Sequence, residues 1–207
     1  MKKTLIVFAI VLGGGWYVVT MPASDEVSIT DFDPYRLADL ELQMWQAYYD
    51  RDTPRLFRLL VATMREQYDL SWLHATSTAF DLAQAASTFA ELQSDYQSVL
   101  PDLEAAYTTV RDSVDAGFDP AEVARAELAW WVARRIEGKN SPQQVGALIA
   151  EEYALLYAVQ PSRVLRAAVL RAEAAALRDR QADNPDWTGI ATMLVGSYSE
   201  LYSALNR

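Results

Sequence analysis

Apolar residues recur along this chain at helical spacing, most clearly at its end. There Trp187, Ile190, Leu194, Tyr198, Leu201 and Leu205 fall three or four positions apart and make one stripe. The same periodicity, punctuated by prolines, predicts helices near 34–51, 54–67, 72–99, 101–115, 120–137, 142–158, 161–182 and 185–205. Proline is favoured in the first helical turn, where its missing N–H has no partner to lose. Pro34, Pro54, Pro101, Pro120, Pro142, Pro161 and Pro185 all stand at such starts. Several follow a capping residue, as in Asp33-Pro34, Thr53-Pro54, Asp119-Pro120, Ser141-Pro142 and Asn184-Pro185. Asp119 with Glu122 and Ser141 with Gln144 add capping boxes, and Gly117 and Gly138 mark helix ends. The expected fold is all-α: a bundle or helical-hairpin stack of about seven to eight helices over 34–207, since short loops favour antiparallel neighbours.

The N-terminus follows a different pattern. Lys2-Lys3 precedes an uncharged run from Thr4 to Ser24, and Asp25-Glu26 follows it. As a helix, residues 4–24 reach ~31 Å, about the thickness of a bilayer's hydrocarbon core. Residues 1–24 are therefore expected to form a transmembrane signal-anchor and 25–33 a polar tether. The flanking charges put the N-terminus in the cytoplasm and the bulk of the chain outside it, in the periplasm if the source is a Gram-negative bacterium. A cleaved secretory signal is the alternative, which would leave a secreted soluble helical protein. The best cut follows Ala23 and puts Met21 where a small residue is wanted. Trp16 and Tyr17 suit the outer interface, and Ala9 with Gly13 forms a small-xxx-small face for packing on another membrane helix.

Composition narrows the function classes. The chain contains no cysteine, which removes disulfides, thiolate metal sites, cysteine catalysis and cysteine-linked haem. A net charge of −10 argues against a nucleic-acid partner. That charge is localised: from Glu66 to Glu122 eleven acids face Arg111 alone, whereas the other 17 acids are matched by 17 bases. Asp81, Gln84, Thr88, Glu91 and Asp95 align as one polar stripe on the helix expected over 72–99. Asp81, Glu91 and Asp95 are thus a candidate docking face for a basic extracytoplasmic protein. The competing reading neutralises this limb internally, with the arginines of 161–182.

Candidate chemistry is sparse. His74 is the only histidine, with no Gly-x-Ser-x-Gly turn to present a nucleophile near it. It is either a hydrogen-bonded helix histidine or an axial ligand to haem or a pigment. Glu41, Glu127 and Glu152 interrupt apolar faces, as in a carboxylate-metal bundle, but the Glu-x-x-His motifs of such bundles are missing. Structural pairing with an arginine, such as Arg58 or Arg134, is the simpler expectation. In the doublets Tyr48-Tyr49 and Trp130-Trp131 the two rings point about 100° apart, so one of each should meet a second surface.

The expected function is a non-catalytic, membrane-anchored interaction or scaffold protein with no cofactor. It would be an accessory subunit of a larger membrane complex, for example an energy-transducing or photosynthetic one, with protein partners and residues 4–24 in the membrane. A carboxylate-metal or pigment- or haem-binding bundle, as enzyme or cofactor carrier, is the alternative.

Overall fold

A computed structural model describes residues 28–207. The expected membrane segment, with Ala9, Gly13, Trp16 and Tyr17, lies outside the described residues. Within them the chain is all-helical, with eight α-helices: α1 Pro34–Tyr49, α2 Thr53–Tyr68, α3 Trp72–Glu91, α4 Leu100–Val114, α5 Pro120–Arg135, α6 Pro142–Tyr157, α7 Pro161–Arg180 and α8 Trp187–Leu205. No strand forms among the described residues, and none of their helices is long and apolar enough to cross a membrane.

The start signals act as the sequence implies, with two shifts. Asp33, Asp119 and Ser141 accept hydrogen bonds from the first-turn amides of α1, α5 and α6. At α2 the cap is Asp52 rather than Thr53, and at α8 it is Asp186 rather than Asn184, so α8 begins two residues after Pro185. The larger difference is in the third helix, expected to run over 72–99. It stops at Glu91, and Asp95 takes a left-handed backbone (φ 54°) before a short 3-10 turn, Tyr96–Val99, leads into α4. Ser94 and Asp95 carry short polar side chains that compete with helical hydrogen bonding. The Arg135 Nη1 then binds the Leu92 carbonyl at 2.9 Å, giving the freed acceptor a partner.

Each helix packs chiefly against its neighbours in the chain, and α8 returns to pack on α1. Short loops reverse the chain at each step, and an even number of helices lets the last lie antiparallel to the first. The result is a closed up-and-down ring rather than an open hairpin stack. Across the ring, contacts are made by long side chains. Tyr107 of α4 reaches Glu152 of α6, Gln67 of α2 reaches Tyr157 of α6, and Phe89 of α3 meets Trp131 of α5. Before α1, Phe32 packs edge-on against Tyr198 and Tyr202, and Asn206 binds the Thr30 carbonyl, so residues 30–32 are held at the C-terminal end of α8.

The approach of α6 to α7 is tight. A β-carbon built at Gly146 would stand 2.7 Å from the Val169 Cα, which is backbone and unable to swing aside. On α7 the buried positions are Val164 and the alanines 167, 168, 172, 174 and 175, small enough to let helices approach on both sides. Gly146→Ala gains helix propensity but forces the two backbones apart. Urea unfolding should show a net loss of about 1–3 kcal/mol; a variant as stable as the parent would mean that this approach is slack.

Candidate functional site

The three glutamates that interrupt apolar faces enter the ring, and their partners come from several helices. Glu41 of α1 is 1% exposed. Its Oε1 accepts from both Nε (2.9 Å) and Nη2 (2.7 Å) of Arg171 on α7, and its Oε2 accepts from the Tyr198 hydroxyl of α8 at 2.8 Å. Burial would lower the Arg171 guanidinium, but the adjacent Glu41 carboxylate outweighs it and holds the group well above the ordinary arginine range. The same guanidinium stands 5.3 Å from the Trp130 ring. The indole Nε1 of Trp130 donates in turn to Glu152 Oε2, and the Tyr107 hydroxyl donates to Glu152 Oε1 at 3.3 Å.

Three carboxyls thus share one guanidinium, and the electrostatics follow from that shortage. Burial raises Glu152 against the opposing pull of Arg171, Trp130 and Tyr107. Burial, with the charge of Glu152 beside it, pushes Glu127 up to about 8. Oε2 of Glu127 is buried with no hydrogen-bond partner among the described residues. Burial and the Glu152 charge outweigh the hydrogen bonds that Tyr107 and Trp131 offer this carboxyl, so Glu127 keeps its proton at neutral pH. Tyr68, Tyr153 and Tyr157 surround the network and are raised by burial, so they remain neutral phenols.

The carboxyls are engaged by Arg171, Tyr198, Tyr107 and Trp130, and they do not converge on a common point. Among the described residues no group of three or more His, Cys, Asp or Glu is arranged to hold a metal ion. The arginine partner differs from both expected candidates: Arg58 is exposed, and Arg134 pairs with Asp179 at 2.8 Å. Arg171 nonetheless has a signature in the sequence. It falls four residues after Ala167 and four before Ala175, on the buried face of α7.

His74 is exposed on α3, with Nδ1 2.8 Å from the Ser113 hydroxyl of α4. That hydroxyl already donates to the Thr109 carbonyl at 2.6 Å. Its single proton is therefore spent, and the imidazole must be the donor, the reverse of a base activating a nucleophile. His74 ties α3 to α4.

The surface of these two helices holds the concentrated acid. Asp81 of α3 and Glu91 at its end lie on one helix, but Asp95 belongs to the break after it and does not continue their stripe. What the fold brings to Asp81 instead is Asp102 of α4: burial and this like charge raise Asp81 above the usual carboxylate range. Asp102 accepts from Gln84 at 3.1 Å. Four of the five arginines of α7 are engaged elsewhere. Arg163 binds the Arg207 carbonyl, Arg166 pairs with Glu200, Arg171 with Glu41, and Arg178 covers the Tyr49 ring. None of their recorded bonds reaches an acid on α3 or α4. Arg135, which does reach this limb, binds the Leu92 carbonyl and lies 3.7 Å over the Phe89 ring.

Beside the acids, α3 exposes apolar rings that periodicity alone did not single out. Trp72, Thr76, Phe80 and Gln84 are four apart and form one outward line, with Trp72 50% and Phe80 59% exposed. Arg65 covers one face of Trp72 at 4.3 Å. The two aromatic doublets behave differently from each other. Trp130 and Trp131 both meet surfaces of this same chain, the first at Glu152 and Arg171 and the second against Phe89. Tyr48 and Tyr49 stay exposed at the end of α1, their rings edge-to-face at 5.0 Å.

The Glu127 proton makes stability depend on pH with a definite sign. The fold holds it up to about 8, whereas the unfolded chain releases it near 4.5. The folded state therefore binds the extra proton between these values, and the associated stability is full below about 4.5 and lost as pH rises towards about 8. Melting temperatures of the native chain minus those of Glu127→Gln should fall across that window and level off above it; a difference that does not change with pH would remove the proton from the network. No family model matches the chain, and neither a curated protein nor a solved structure matches it, so its function has to be argued from chemistry and geometry.

Proposed function

We propose that this chain is a non-catalytic, membrane-anchored helical interaction protein, an accessory subunit of a larger membrane complex. Its α3–α4 face docks a basic protein on the outer side of the membrane. The observation that carries this reading is the pairing of Asp81 with Asp102 on the face that exposes Trp72 and Phe80, while Arg163, Arg166, Arg171 and Arg178 of α7 are engaged elsewhere. Large exposed aromatic rings are preferred anchors at protein interfaces, and a rim of one charge steers an oppositely charged partner and raises its on-rate. The rigid ring suits a scaffold, because its buried carboxyls are bound to its own side chains. The anchor rests on the uncharged run Thr4–Ser24 between Lys2-Lys3 and Asp25-Glu26.

Co-purification of the full-length chain in mild detergent tests the proposal, with intact mass checking that residues 1–24 are retained. Trp72→Ala with Phe80→Ala should weaken the co-purifying subunit by about 30-fold or more if these rings are interface hot spots. Asp81→Lys with Asp102→Lys should slow association and reduce its salt dependence without lowering thermal stability. A partner held equally well by both variants would overturn the docking face, and a native chain beginning at Ser24 would overturn the anchor.

A further inference from the structure

A second surface feature lies at the far end of the ring. Phe32 and Thr30 are held at the C-terminal end of α8, and α1 begins at Pro34 and runs for 16 residues away from them, about 24 Å at 1.5 Å per residue. There a cleft of about 280 Å³ opens where the C-terminal ends of α1, α5 and α7 meet, lined by Trp45, Tyr48, Tyr49, Arg134, Ala175 and Arg178. Three aromatic rings line it, and two guanidiniums stand among them.

Neither arginine is held as a simple surface charge. The Arg178 guanidinium lies 3.1 Å from the centre of the Tyr49 ring, and its Nε is buried without a hydrogen-bond partner among the described residues. Arg134 is held through Nη2 by Asp179 at 2.8 Å, a single contact from a group able to fork onto a carboxylate with two. Arginine near a helix C-terminus offsets the helix dipole. That role does not account for a buried Nε or for three aromatic rings, one of them 58% exposed, gathered around the same opening. Asp179 has the chemistry of a stand-in: a carboxylate of the chain itself occupying a guanidinium at the rim. The volume equals about nine waters at ~30 Å³ each, enough for one ring bearing a carboxylate.

We propose that this cleft binds a small planar aromatic carboxylate, its ring against Trp45, Tyr48 and Tyr49 and its carboxylate taken by Arg134 and Arg178 in exchange for Asp179. The site is independent of the α3–α4 docking face and is on the opposite end of the ring from residues 30–32.

Calorimetric titration of the full-length protein with sodium benzoate tests the site, with benzyl alcohol as the uncharged comparison. Benzoate should bind at one site, and benzyl alcohol about tenfold or more weaker, because the guanidiniums then have no anion to pair. Arg178→Gln should weaken benzoate by a similar factor. Asp179→Asn should do the opposite and tighten benzoate several-fold by removing the competing carboxylate, roughly what a solvent-exposed ion pair is worth. A gain of affinity is not a result that misfolding produces. Absence of benzoate binding, equal binding of benzyl alcohol, or an Asp179→Asn protein with unchanged benzoate affinity would each overturn the proposal.

Discussion

Closure of the ring turns on the ion pair of Glu41 with Arg171. The two residues are 130 positions apart, and their contact joins the first helix to the seventh, while Tyr198 adds the eighth to the same carboxylate. Taking one charge of such a pair away leaves the other buried and uncompensated, at a cost of about 3–5 kcal/mol, whereas replacing both by well-packed apolar groups is often neutral. The pair therefore acts less as a source of net stability than as a constraint on which arrangement of α1, α7 and α8 is acceptable. A displaced Arg171 would leave the buried Glu41 charge uncompensated, with the neutral Tyr198 hydroxyl still donating to it.

The remaining carboxyls follow from that one pairing. A single guanidinium is committed to Glu41, so Glu152 is left to Trp130 and Tyr107, and Glu127 keeps its proton. Neutral phenols and indoles complete the interior, and Tyr68, Tyr107, Tyr153, Tyr157 and Tyr198 are buried there. The same commitment of bases shapes the outside. With Arg171 turned inward and Arg166 on Glu200, neither base neutralises the acids of α3 and α4, and α3 also exposes Trp72 and Phe80.

Much of this fold is legible in the sequence, because its signals are local. Prolines at first turns and the caps Asp33, Asp119 and Ser141 are read from neighbouring residues, and they give the element order. The inward glutamates are legible for the same reason: periodicity assigns Glu41, Glu127 and Glu152 to buried faces. Periodicity does not say which helices meet, so it offers Arg58 or Arg134 where the fold supplies Arg171. The break at 92–95 is not legible because the polar residues that follow α3 also fit an exposed helical stripe. The exposure of Phe80 was hidden by an equivalent ambiguity, since an aromatic residue at helical spacing is more often core.

The dependence of the ring on the Glu41–Arg171 pair is tested most directly by a double-mutant cycle, with urea unfolding of the native chain, Glu41→Gln, Arg171→Met and the double variant. Arg171→Met alone is expected to lose about 3–5 kcal/mol, and the double variant to recover a large part of that loss, because the orphaned charge is then gone. Single losses that simply add in the double variant would contradict the account.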